Sequence, residues 1–334
     1  MPAGPRTLSV PAPRRAAWLA TAAFGLVVLA AAAGWWWRQG APAAEHANVP
    51  TVLEPAPAPP SPMVTAQAEG ASYRELLEGR SDDWRVARLA LNPKILVIEF
   101  PNLASQGAAL NRLAALLEKY KAPRDRVLTD EGLARFIQQV GDTPETFYFG
   151  HDYPAEAVAR FFTLSVNQQV RLNPSELRLG NLLLFSKMLR EENDRLVPAP
   201  EREAVVTFTA LQADNPRTTA DETVDAQRRE AILRHELSHG EFFTNAAYRQ
   251  HCWTFWQNLS DEDRLLFRTF LTAASYDPHN DELMVNETQA FLMHTPDQRA
   301  FSARIFGVPE KKLEALRARF REGMPPSIFS SIDR

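Results

Sequence analysis

The sequence predicts an α+β protein, predominantly helical, carried behind a single N-terminal transmembrane helix. Three observations lead there. Residues 16–37 form an uncharged apolar run, a Pro/Ala-rich stretch follows, and the remaining body is dominated by helix-period apolar patterns with a few short β-rich runs between them. A length of 334 residues allows one or two domains plus accessory segments.

The N-terminal run is 22 residues long, enough for a helix to cross roughly 30 Å of hydrocarbon. Arg14 and Arg15 precede it, and Trp35, Trp36 and Trp37 close it at the level where amphipathic rings favour headgroups. The basic excess lies on the N-terminal side. Residues 1–15 are therefore expected in the cytoplasm and residues 38–334 outside it, in the periplasm of a bacterial-type cell or beyond. A cleaved signal peptide is the competing expectation, because residues 30–33 are small, but it exports the same body. Residues 38–71 carry seven prolines and read as a solvated spacer.

Charge and cysteine usage narrow the function. The net charge is −4, and the first 37 residues carry +3 from Arg6, Arg14 and Arg15, which leaves −7 on the remainder (−4 less +3). An acidic body is a poor nucleic-acid binder. The lone Cys252 excludes an intramolecular disulfide framework and a cysteine-based zinc knuckle.

Residues 72–200 read as an N-terminal α+β region. Residues 94–100 are a β-rich run bounded by Pro93 and Pro101, and residues 108–120 repeat leucines at helical spacing. Thr129 is placed to cap a helix reaching about Val140, and residues 145–149 are a second candidate strand. Pro154 and Pro174 each open a helix, the second apolar around much of its circumference and so expected to be central and buried. Residues 201–334 begin with a strand over 204–209, either a sheet edge able to pair with an extended peptide or an ordinary internal strand. Helices are then expected over about 223–243, 245–259, from Ser260 onward and over 283–294, with short ones opened by Pro296 and Pro309. Trp253, Phe255 and Trp256 suit a core, and His251 beside them suits packing.

The chemistry is concentrated in His235-Glu236-Leu237-Ser238-His239. Residues i and i+4 lie one above the other on a helix, so both imidazoles can reach one Zn²⁺ at about 2.0–2.1 Å. Glu236, beside the first ligand, is angled to take a proton from a metal-bound water and hand it to a leaving amine. Gly240 leaves room for a close neighbour, and Glu241 is a candidate hydrogen-bond partner for a ligand histidine. A catalytic zinc needs a third protein ligand, for which Glu262, Asp277, His279, Asp281, Glu282, Glu287 and His294 are available.

With Asn286-Glu287 followed by Ala290, the pair of motifs resembles the gluzincins, zinc peptidases in which a glutamate on a second helix completes a His₂Glu site. The resemblance covers about 60 residues. It implies a zincin-like catalytic region over 201–334, one zinc held by His235, His239 and Glu287, Glu236 as general base, and a peptide or protein substrate. The aspartate that this family places four residues after its glutamate is replaced here by Phe291. His294, two turns beyond Glu287, is a candidate oxyanion donor or else an exposed histidine at a helix C-terminus, with Tyr248 and Tyr276 as alternative donors. His151-Asp152, after Gly150, reads either as a site element or, more in keeping with Asp before Tyr-Pro, as a turn before a helix. Two other functions fit the same motifs: a non-catalytic zinc-binding envelope or scaffold protein, its fourth ligand drawn from His279, Asp281 or His294, and a zinc hydrolase acting on a cell-wall crosslink.

Overall fold

The computed structural model describes residues 70–333. The expected membrane segment 16–37 and nearly all of the spacer lie outside them. Among the described residues no helix is long and apolar enough to cross a membrane. The chain is α+β and mainly helical.

The elements, in chain order, are β1 (Gly70–Ala71), α1 (Tyr73–Glu78), β2 (Arg85–Leu89), β3 (Asn92–Phe100), α2 (Leu103–Leu117), α3 (Asp130–Val140), β4 (His151–Pro154), α4 (Ala155–Asn167), α5 (Pro174–Phe185), β5 (Leu189–Glu192), β6 (Arg195–Pro198) and β7 (Ala204–Thr209). Then follow α6 (Ala226–Thr244), α7 (Ala246–Asn258), α8 (Asp261–Ala273), α9 (Asp281–His294), α10 (Ala303–Phe306), α11 (Glu310–Arg321) and α12 (Phe329–Ile332).

One sheet organises the body, in the order β1-β2-β3-β7-β4. β3 runs parallel to β7 with Ile95 opposite Ala204, and β4 runs antiparallel to β7 with Asp152 opposite Val206. Alternation along β3 divides its apolar residues between two faces. Leu96, Ile98 and Phe100 join a cluster with Leu110 and Leu113 of α2, Phe161 of α4 and Leu179 of α5. Ile95 and Val97 join Val206, Phe208 and, from α6, Leu233 and Leu237. α6 therefore lies directly on the sheet, and at Gly240 it lies very close: a Cβ there would meet Ile95 Cγ2 at 2.9 Å. A further cluster, including Tyr248, Trp256, Phe267, Met284 and Phe320, packs α7, α8, α9 and α11 together.

Residues 70–333 fall within one compact unit, and β7, from the second expected region, sits between two strands of the first. Several sequence expectations are corrected. β7 is internal, and the sheet edge on that side is β4. Residues 145–149 are not a strand. Thr143 and Thr146 accept from each other's backbone N–H at 3.2 and 3.0 Å, a side-chain-stabilised turn that delays the strand to His151. α5 is not a central helix: Leu177 and Phe185 are 53% and 46% exposed, and only one stripe is covered. Pro296 opens no helix, and the next one starts after Ser302, whose hydroxyl caps it. β2 and the β5–β6 hairpin were not expected. Asn193 and Asp194, both at positive φ, make the tight hairpin turn without a glycine.

Candidate metal centre

α6 starts where Asp225 accepts from the Arg228 N–H, and its middle is buried on nearly every side. Its four-residue spacing brings the His235 and His239 rings edge to face with centroids 4.7 Å apart. α9 packs across it through Ala290, which is fully buried, and so brings Glu287 to the imidazoles. His235 Nε2 lies 3.5 Å from Glu287 Oε2, and His239 Nε2 lies 3.7 Å from Glu287 Oε1. Donors about 2.0–2.1 Å from one tetrahedral ion would be about 3.3 Å apart. The three residues therefore stand close to the geometry that a single zinc requires.

Hydrogen bonding sets the His235 tautomer. The Thr295 hydroxyl donates its one proton to the Ala290 carbonyl at 3.0 Å, so its oxygen must accept from His235 Nδ1, 2.8 Å away. Nδ1 carries the proton and Nε2 keeps its lone pair for a metal. Thr295 thus fills the orienting role left open by Phe291, whose ring instead packs edge-on against His235 at 4.7 Å.

Several buried polar atoms here have no protein partner: both ring nitrogens of His239, Glu236 Oε2 and Glu287 Oε2. Burial pushes His235 down to about 3 and His239 down to about 4, so both rings are neutral near pH 7. Burial pushes the Glu287 carboxyl up to about 7, opposed by His239 and the Tyr276 hydroxyl. Neutral imidazoles beside carboxylate oxygens that lack a protein partner form a donor set suited to a dication.

Two further carboxylates join the cluster. Asp152 of β4 lies with Oδ2 3.6 Å from His239 Nε2, while its Oδ1 accepts from Asn286 Nδ2 at 3.4 Å. Glu118, just past α2, is brought in where residues 118–120 pair with residues 275–277. Burial, then mutual repulsion, holds Glu118, Asp152 and Glu236 above the usual carboxylate range. Lys119 places its ammonium over the Phe147 and Tyr148 rings and pairs with Asp142 at 3.1 Å.

A cleft of about 420 Å³ opens onto this cluster, with His235, Glu236, Phe149, Gly150, Tyr276 and Phe291 in its wall. The Glu236 carboxylate lies so close to Gly150 that a Cβ there would meet Oε1 at 2.3 Å. Glycine thus lets the carboxylate lie against the backbone leading into β4.

The structure brings His235, Glu236, His239 and Glu287 together. It does not bring His294 to them in a way that serves an oxyanion. That ring stacks on Phe329 at 3.7 Å, its Nε2 meets the Tyr248 hydroxyl at 2.9 Å, and neither residue lines the cleft. Of the expected oxyanion donors only Tyr276 does. Glu241 accepts from Asn92 and Asn245 at 3.0 and 2.7 Å, and so anchors the strand β3 rather than a histidine. Asp277 pairs with Arg124, Asp281 with Arg268 and Glu282 with Arg249, away from the imidazoles. Asp152, expected in a turn, lies instead in strand β4 beside His239, and Glu118 has no counterpart among the sequence expectations. The adjacent Gly150-His151-Asp152 was the available signal for the first; nothing local marks the second.

No protein-family model matches the chain, and neither the curated proteins nor the solved structures searched contain a match.

Proposed function

We propose that this protein is a zinc-dependent peptidase of gluzincin type. The observation that carries the reading is the meeting of His235, His239 and Glu287 within 3.5–3.7 Å, with Glu236 beside them in the wall of an open cleft. His235, His239 and Glu287 would hold the ion. Zinc bound there would lower the pKa of a water to about 7 and polarise a carbonyl. Glu236 would accept the proton of that water and return it to the departing amine. The Tyr276 phenol, kept protonated by burial, would donate to the oxygen that gains charge. The chain entering edge strand β4 lines the cleft and would pair with an extended peptide, the role considered at the sequence level for residues 204–209. On this reading residues 16–37 tether the body to the outer face of an inner membrane.

One observation favours a second reading. The Asp152 carboxylate, 3.6 Å from His239 Nε2, offers a fourth protein donor. Coordination by it would close the site and leave a zinc-binding scaffold without turnover.

Metal analysis of the full-length protein beside Glu287→Ala, with hydrolysis of a denatured protein by wild type and Glu236→Gln, separates the readings. The peptidase is expected to hold one zinc that Glu287→Ala loses. Glu236→Gln should keep the zinc and lose about 10²–10⁴-fold in rate. Zinc without hydrolysis would favour the scaffold, and no zinc in folded protein would remove both.

A further inference from the structure

A second cavity adjoins the cleft and is richer in arginine. It measures about 670 Å³, within the range typical of small-molecule sites, and its wall includes Arg299, Arg304, Arg317, Arg321, Glu310 and Leu313. Four guanidinium groups thus face one carboxylate, in a chain whose sequence beyond residue 37 carries −7. Residues 295–300 separate the two cavities, and Thr295 and Arg299 contribute to both walls.

Two of these arginines are held by ion pairs and two are placed by the fold alone. Leu313, Arg317 and Arg321 follow at intervals of four on α11, so one helix face presents an apolar floor and two guanidiniums in a row. Like charges at that spacing destabilise an isolated helix. Arg304 faces them from α10. Arg299 is engaged by Asp225 and Asp297. Arg317 is held by the Leu292 carbonyl through Nε and by Glu314 through one terminal nitrogen. Arg304 and Arg321 have no carboxylate within 4.0 Å among the described residues, and both are exposed. Two of the four cations thus lack a carboxylate partner, and a ligand that brings negative charge to them is favoured. Planar guanidinium forks match the oxygens of a phosphate, and several can share one phosphate's three faces.

We propose that this groove binds a phosphate-bearing ligand, with Arg304 and Arg321 as its free anchors and Arg317 as a third, preset donor. The cavity is larger than a bare phosphate needs, so the ligand carries a further moiety that rests along Leu313. The assignment is independent of the peptidase reading, since it concerns binding and not turnover.

The test uses the full-length protein in nonionic detergent at constant ionic strength, titrated calorimetrically with inorganic phosphate and with glycerol 3-phosphate. Both are expected to bind saturably, and Arg304→Gln/Arg321→Gln should weaken them at least tenfold. The exposed positions predict an unchanged unfolding temperature, and each single variant should show an intermediate loss. Micelles doped with phosphatidylglycerol or phosphatidylcholine then separate the sources. A preference for the anionic lipid that the double variant abolishes identifies a lipid headgroup, and no preference identifies a soluble phosphate compound. Absence of phosphate binding, or binding unchanged in the double variant, would overturn the proposal. So would arginine-dependent binding of a hexaglutamate peptide that phosphate does not displace.

Discussion

Two buried charged clusters lie on opposite faces of the same sheet and are built on opposite terms. On the α2 side, the Arg112 side chain is 1% exposed and each of its three nitrogens is engaged. Its Nε donates to Glu176 at 2.8 Å, one terminal nitrogen donates to the Leu128 carbonyl at 2.9 Å, and the other pairs with Asp130. The second oxygen of Glu176 accepts from the Asn173 N–H at 2.8 Å. On the α6 side, His239, Glu236 and Glu287 are as deeply buried but keep orphaned atoms. Buried groups in a native chain are ordinarily paired. On the proposed reading, the orphaned atoms of this second cluster are the donors that zinc would use.

Breaking each cluster should therefore give different symptoms. The largest effect is expected from Arg112→Ala, which strands Glu176 in the core. It should cost about 3–5 kcal/mol in denaturant unfolding and leave zinc stoichiometry unchanged in the folded fraction. An equal loss of zinc would show that the two clusters are coupled and would spoil the contrast.

A pH series on chelated protein sharpens it further. The two histidines have folded values depressed to about 3 and about 4, against about 6.5 when unfolded. The unfolded chain therefore binds more protons, and stability falls as pH drops below about 6.5. Glu287 works the other way. Its folded value is raised to about 7, so the stability it contributes is present below about 4.3 and is lost as pH rises through 7. Above about pH 6.5 the histidine effect fades, and the raised carboxyls of Glu287 and its neighbours dominate. Metal-free wild type should lose stability from about pH 6.5 to about 8, and Glu287→Gln should lose less. His239→Ala should flatten the acid side. Identical profiles for all three proteins would mean that these groups are solvated in solution.

The smallest effect is expected from Thr295→Val, which removes the acceptor for His235 Nδ1 without opening a cavity. Zinc affinity should fall about 10–100-fold in a competition titration, with little change in the unfolding of metal-free protein. An unaltered affinity would show that packing by Phe291 alone holds the ring.

Much of this was legible along the chain. Capping residues marked helix starts correctly at Thr129 and Ser260, and prolines did so at Pro154, Pro174 and Pro309, because caps act within one turn. Pro296 failed because proline permits a helix start without requiring one. The strand at residues 145–149 failed because two threonine hydroxyls took over the local backbone donors. His294 failed for a different reason: its spacing from Glu287 was read correctly, but a residue on a helix buried on all sides has no face reserved for solvent.

What the sequence determined by itself was the pair of imidazoles with its neighbouring carboxylate. That geometry is set by 3.6 residues per turn and needs no tertiary contact. The third donor was legible only through a resemblance between short motifs, and the packing of α9 on α6 places it within reach. The tertiary structure alone decided the rest. Asp152 arrives on an edge strand paired to β7, Glu118 on a bridge to residues 275–277, and Thr295 by the end of α9 reaching His235. The four arginines of the second groove come together from a loop and two helices. The physical reason is one of range. Helical periodicity and capping act over a few residues, whereas a buried site is closed by contacts between segments whose separation in sequence carries no periodic trace.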